Sequence, residues 1–277
     1  MIQAFLKTAL LLATLLVLGP LAASLAAPLS APNGYGPVTP LTSTTPVKAI
    51  VLTMAAFGIA AMAGLVGCRF FGRGVGLTWT GLTLAWAAWS QGTTRSIFVY
   101  ADTGSPLMKL AGEAVIVGLA SVLTAWAVLA VSKARVRDDG LDVSLRSALG
   151  RPSNVLASVI GLAAAGIAAW LFAYQSAKGQ TVLAGVAGGI GAGAATYLAS
   201  SGMRHATTSL ISPFLSLALL SIAAPLVGVF GHGPAFEAAA LADSMIPLVR
   251  PVPMDWAAGA FIGIPIGMSW AGSMIET

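Results

Sequence analysis

An all-α bundle of about eight membrane-spanning helices follows from three features of the sequence. Of the 277 residues, 57% are hydrophobic and only 8% are charged, against about 25% charged in soluble domains. Apolar runs of 18 residues or more recur along the whole length, and each is long enough to cross a bilayer. The connections between them are marked by Pro, Gly and clustered charge, where helices stop.

The first run joins Lys7 and the apolar block Thr8–Leu18 to the small-residue triplet Ser24-Leu25-Ala26. That pattern fits either a retained first helix from about Phe5 to Ala26 or a cleaved signal peptide, which would leave seven spans. Residues 1–27 are therefore a first helix or signal, 28–47 an external segment, and 48–277 the bundle. The external segment, with five prolines and an Asn33-Gly34 turn signal, is expected to be extended and irregular. Spans are then expected at Lys48–Cys68, Gly74–Ser90, Leu107–Ser132 and Asn154–Tyr174, and again at Leu183–Ser201, Ser209–Phe230 and Asp255–Ser273. Within Gly231–Met254 a short interfacial helix is expected between Pro234 and Met245. Pro247, Pro251 and Pro253 then force extended backbone.

Two of these spans carry glycine at four-residue spacing: Gly185, Gly189 and Gly193, then Gly259, Gly263 and Gly267. Residues four apart share a helix face, and small residues on that face let two helix backbones approach inside a membrane. Both spans run in the same direction in an eight-span topology, so a close parallel pair is expected. Packing within the chain is the simpler use of the ladders, and self-association the alternative. The Gly-x-Gly run is no phosphate loop, because no strand precedes it and no Lys-Ser/Thr follows.

Charge sets the orientation. Nine of the 14 Lys and Arg residues (7, 69, 73, 133, 135, 137, 146, 151 and 204) fall on the side of the N-terminus. Lys48, Arg95, Lys109, Lys178 and Arg250 fall on the other. Positive-inside topology then places both termini in the cytosol, and the Ala- and Gly-rich, Arg-over-Lys composition points to a bacterial plasma membrane. Basic residues sit at helix ends rather than in one patch, so nucleic acid is not an expected partner. Asp138, Asp139 and Asp142 read as a solvated loop face among basic neighbours.

Few residues suggest chemistry. Cys68 is the one cysteine, which excludes an internal disulfide and a cysteine metal cluster. His205 and His232 fall on opposite sides of the membrane, so no joint metal or haem site is expected. No nucleophile and base can be assembled, so neither catalysis nor a cofactor is expected. Glu113 is the acid expected to enter the membrane, where a carboxylate is a candidate ion or proton site. Lys109 lies four residues earlier on the same face, and an interfacial pair between the two is the simpler expectation. Thr124 adds a hydroxyl to that span. Ser209, Ser212, Ser216 and Ser221 line the following Pro213- and Pro225-containing span, where freed carbonyls and hydroxyls can border a path.

Ten of the 15 prolines lie in external segments, which makes the outer side the expected contact surface. The leading expectation is therefore a non-enzymatic structural or assembly subunit of a larger membrane complex, with lipid and other membrane subunits, or a second copy, as partners. The alternative is a small-solute or ion permease with a path along Glu113, Thr124, Ser209, Ser212, Ser216 and Ser221. Such a permease would need a continuous polar cavity reaching those residues. Spans two to four and five to seven form two triplets of opposite topology, each with a Ser-Pro pair (Ser105-Pro106, Ser212-Pro213) opening its third helix. Residue matches between the triplets are too sparse to establish a repeat from sequence.

Overall fold

The computed structural model describes residues 2–26, 29–34, 36–100, 105–131, 141–202, 208–232 and 235–275. The densest part of the basic segment, with Lys133, Arg135, Arg137, Asp138 and Asp139, and the turn with Arg204 and His205 lie outside the described residues. The first run is helical throughout, as α1 (Ile2–Ala13), a π-helical turn (Thr14–Leu18) and α2 (Gly19–Ala26). Pro20 stands two residues past that turn; it has no N–H for the Leu16 carbonyl, and a π-bulge absorbs the mismatch. Gly19 here lies against the ring of Trp86.

Long helices follow: α3 (Pro46–Phe71), α4 (Arg73–Ser90), the short α5 (Thr94–Tyr100), and α6 (Pro106–Ala130). Next come α7 (Leu145–Gly150), α8 (Pro152–Phe172), α9 (Lys178–Ser201), α10 (Ser212–His232), the short α11 (Phe236–Leu241) and α12 (Pro253–Ile275). Proline occupies the first turn of α3, α6 and α8, where its missing N–H is no loss and its fixed φ suits the helix. The β structure described is two residues long: Leu141–Asp142 pairs in parallel with Thr208–Ser209.

The molecule is a polytopic all-α bundle, and seven of its helices are long and apolar enough to cross a membrane. The eighth expected span, α4, is a continuous helix of 18 residues, about 27 Å at 1.5 Å per residue. Arg73 and its many Thr, Gly and Trp residues make it less apolar. It is well shielded: it folds back along α3, with α2 and α12 packed on it as well. The reversal between α3 and α4 takes one residue, Gly72, at φ 96°, a conformation that favours glycine.

Two triplets build most of the bundle. In the first, α4 returns antiparallel along α3, with Gly64 opposite Gly76 and Thr80, and Gly67 opposite Trp79. In the second, α9 returns along α8, with Gly161 opposite Ala192 and Thr196, and Gly188 opposite Ala165 and Ala169. Each long helix of the second triplet starts 105 or 106 residues after its counterpart: Pro46 and Pro152, Arg73 and Lys178, Pro106 and Ser212. The third helices, α6 and α10, pack on each other, and α12 packs against both middle helices, α4 and α9. The end of α4 meets the start of α9, where Lys178 Nζ donates to the Gly92 carbonyl at 3.3 Å. The two triplets therefore enter from opposite ends of the bundle.

The expected external segment is not loose. Leu29, Ala31, Val38 and Thr39 are buried, and Pro40–Thr42 forms a 3₁₀ turn closed by a capping box between Thr39 and Thr42. The apolar side chains of this segment have nowhere else to bury, so it folds back over α3 and α6. The interfacial helix expected between Pro234 and Met245 is α11, whose Phe236 and Ala240 are buried. Large hydrophobic side chains such as Val51, Leu119, Ile167 and Phe230 are exposed around the bundle, the pattern of a surface that meets lipid.

Candidate functional site

The two glycine ladders face each other across α9 and α12. A methyl group on Gly189 would lie 2.5 Å from the Gly259 carbonyl oxygen, and one on Gly193 2.5 Å from that of Ile264. Gly185 abuts the Asp255 and Gly259 backbone, while Gly259, Gly263 and Gly267 abut the backbone from Gly185 to Ala194. Register rises along both helices together, so they run parallel. At this separation any side chain at these positions strikes backbone.

A cluster of charge lies at the end of the bundle where α3, α6, α9 and α12 begin. Lys178, the first residue of α9, pairs with Asp255 of α12: Nζ and Oδ1 are 2.7 Å apart, and the Asp255 side chain is fully buried. The second oxygen of Asp255 accepts the Val252 N–H at 3.1 Å, capping the start of α12 as an acid in the first turn should. The pair thus ties α12 to α9 and, through the Gly92 carbonyl, to the end of α4.

Glu113 completes this cluster. It lies about 10 Å along α6 from the helix start at Pro106, at 1.5 Å per residue. It is 1% exposed. The 3₁₀ turn closes over it, and the Leu41 N–H donates to Oε2 at 3.1 Å. Oε1 is buried with no hydrogen-bond partner. The ammonium of Lys178 is near enough to act on the carboxylate through space. The interfacial pair expected between Lys109 and Glu113 is not formed: among the described residues no ion pair joins them, and the folded-back external segment provides the partner instead. Gln91, beside Gly92, is also buried with neither end of its amide partnered.

A second buried polar knot lies in the same half of the molecule. Arg250 is 5% exposed; it donates to the carbonyls of Ala173 and, at 2.8 Å, Asp243. Asp243, at φ 52°, accepts the Ser176 hydroxyl at 2.6 Å. These bonds lock the α8–α9 connection to the chain between α11 and α12.

The hydroxyls of α10 do not line an open path. Pro213 stands in the first turn of the helix, where it breaks no bond, while Pro225 lies inside it. Ser209 precedes the helix and accepts the Ile211 N–H. Ser212 and Ser216 are fully buried, and Ser216 donates to the carbonyls of Ser158 at 2.7 Å and Ser212 at 3.1 Å. Its hydroxyl faces α8 beside Thr196 and Gly161. Ser221 donates to the Ala218 carbonyl and borders, with Ser121, a void of only about 10 Å³ between α6, α10 and α12. Thr124 is buried on α6.

A larger cavity, about 460 Å³, opens at the opposite end of the bundle. Arg73, Gly74 and Leu77 of α4, Tyr197 of α9, Leu129 of α6, Leu210 and the Pro265–Ser273 part of α12 line it. Arg73, Tyr197, Ser269 and Ser273 bring polar groups into an otherwise apolar lining, a mixture that small-molecule sites share. Its lining includes neither Glu113 nor the α10 serines, so it is not the polar cavity along those residues that a permease was expected to need. The end-to-end contrast was invisible in sequence: Lys178 and Asp255 are far apart in the chain, and only their shared position at the openings of apolar helices hinted at a pair. Comparison of the chain with known protein families, with curated proteins and with solved structures found no match.

Proposed function

We propose that the chain is a permease for a small solute or ion, working from two inverted three-helix units packed about α12. The observation that carries this reading is the equivalence of α3–α4–α6 and α8–α9–α10, which share helix order, hairpin register and spacing but enter from opposite ends. Inverted repeats of this kind are a common plan of secondary transporters, with charge placed where the repeats meet. The two ends of the bundle are related by that equivalence yet differ in state. At one, Arg73 opens α4 beside a cavity; at the other, its counterpart Lys178 opens α9 and is paired with Asp255. Positive-inside charge places the cavity on the cytosolic side, with both termini there, in a bacterial plasma membrane. The role is non-enzymatic.

A structural or assembly subunit is the second reading. The glycine ladders pack on each other and the Pro-rich segment lies on its own bundle, so neither feature by itself calls for a partner chain. Reconstitution tests the permease. Purified protein in liposomes, driven by a potassium diffusion potential, should acidify or alkalinise a trapped pH-sensitive dye, and Glu113→Gln should reduce the rate at least tenfold. A rate equal to that of empty liposomes, together with purification in a stoichiometric larger assembly, would overturn the proposal.

A further inference from the structure

The end of the bundle built by α6, α9 and α12 holds two carboxylates, Glu113 and Asp255, and one ammonium, Lys178. All are buried or nearly so: the Lys178 side chain is 13% exposed and that of Asp255 is 0% exposed, while Glu113 is 1% exposed. With all three ionised, the cluster carries one uncompensated negative charge in an apolar interior, a state that costs several kcal/mol. Lys178 touches Asp255 directly, so the excess falls on Glu113. Only Oε2 of Glu113 receives a donor, the Leu41 N–H, and Oε1 faces no partner.

We propose that Glu113 is a proton-binding site, with the proton carried on Oε1. The charged group acting on it is Lys178 on α9, whose own partner Asp255 lies on α12. Lys109 on α6 is half-buried and, among the described residues, forms no ion pair with it, and Lys48 on α3 is exposed. From the 3₁₀ turn the carboxyl meets the Leu41 N–H, which is neutral. A metal cation would need several oxygens converging on it, and among the described residues no three His, Cys, Asp or Glu side chains gather to hold one. One proton removes the excess charge without any such shell. Loss of that proton leaves two carboxylates competing for one ammonium, which loosens Lys178 from Asp255 and so loosens the closed end.

This inference deepens the permease reading by naming the coupling ion, but the site can be tested without transport. Infrared spectra of the purified protein at neutral pH, with and without ¹³C in the glutamate side-chain carboxyls, isolate any protonated glutamate by the isotope shift of its C=O stretch. The chain has three glutamates, 113, 237 and 276, and Glu237 is exposed. The expected result is an isotope-sensitive protonated-carboxyl band in the wild type that disappears in Glu113→Gln. Should Glu113→Gln fail to fold, Glu237→Gln serves instead and is expected to retain the band. Absence of an isotope-sensitive band in the folded wild type overturns the proposal, as does its loss in Glu237→Gln. A band with no proton flux in liposomes leaves the site standing and removes the permease.

Discussion

At the scale of single residues, the glycines of α9 and α12 differ from those elsewhere in what lies opposite. Gly189 and Gly259 meet backbone, which cannot rotate away, whereas Gly166 meets only the tip of Leu220 at 3.9 Å. Replacing Gly189 by Leu should therefore destabilise the protein by about 3 kcal/mol or more, the upper range of overpacking. Gly166→Ala should cost nothing measurable. Thermal unfolding in mild detergent separates the two, and equal melting temperatures would contradict the packing described. Arg250 makes a similar case in polar terms. Its planar guanidinium bridges Ala173 and Asp243, a geometry lysine cannot reproduce, so Arg250→Lys should lose about 2–4 kcal/mol by the cost of stranding buried partners. The four-residue glycine spacing was legible in the sequence because a helix turns that periodicity into a face. The roles of Arg250 and Asp243 were not, because their partners are backbone carbonyls and a turn far along the chain.

At the scale of elements, the decisive surprise is the Pro40–Thr42 turn. The prolines of its segment suggested an extended, irregular external stretch, but Val38 and Thr39 are as buried as the helix core. Proline content reports backbone stiffness, and burial depends on whether an apolar surface is close enough to receive the segment. The same fold-back gives Glu113 its partner, the Leu41 N–H, which spacing from Lys109 alone could not reveal. The capping box predicts a graded effect: Thr42→Ala removes one side of it and should destabilise the turn by about 1 kcal/mol. Hydrogen exchange at Leu41 should accelerate accordingly, while exchange within α9 stays unchanged. If both segments respond alike, the turn is not an independent latch. Pro46, Pro106 and Pro152 each begin a helix one or two residues before its expected start, whereas the largest shift is at α9, which begins at Lys178 and not at Leu183.

At the scale of the whole molecule, hydropathy was enough to give the number and order of the long helices, while α4 needed its neighbours to be understood. It is the least apolar of the eight, and its Gly76, Thr80, Gly81 and Thr83 are buried among other helices. The triplet equivalence emerged only from packing, because Ala, Gly and Leu are too common in both halves for residue matches to stand out. The two ends should accordingly differ in chemistry towards water. In a Cys68→Ala background, a cysteine at Ser273 beside the cavity should react with a membrane-impermeant maleimide, whereas one at Thr181, buried next to the Lys178 pair, should resist it. Breaking the pair with Lys178→Gln should raise labelling at position 181 at least severalfold. Unchanged protection there would mean that the ion pair does not keep that end shut.

The parallel contact between α9 and α12 has a mechanical corollary. Two rods whose main chains touch along three successive turns can neither slide nor roll without collision, so they travel as one piece. On its other flank α12 meets α4 through fewer close approaches, with Ile262 and Phe261 resting on Gly81. In the proposed permease, exchange of the open and closed ends is expected to shear along that softer seam, with α9 and α12 as the keel about which the α3–α4 hairpin swings.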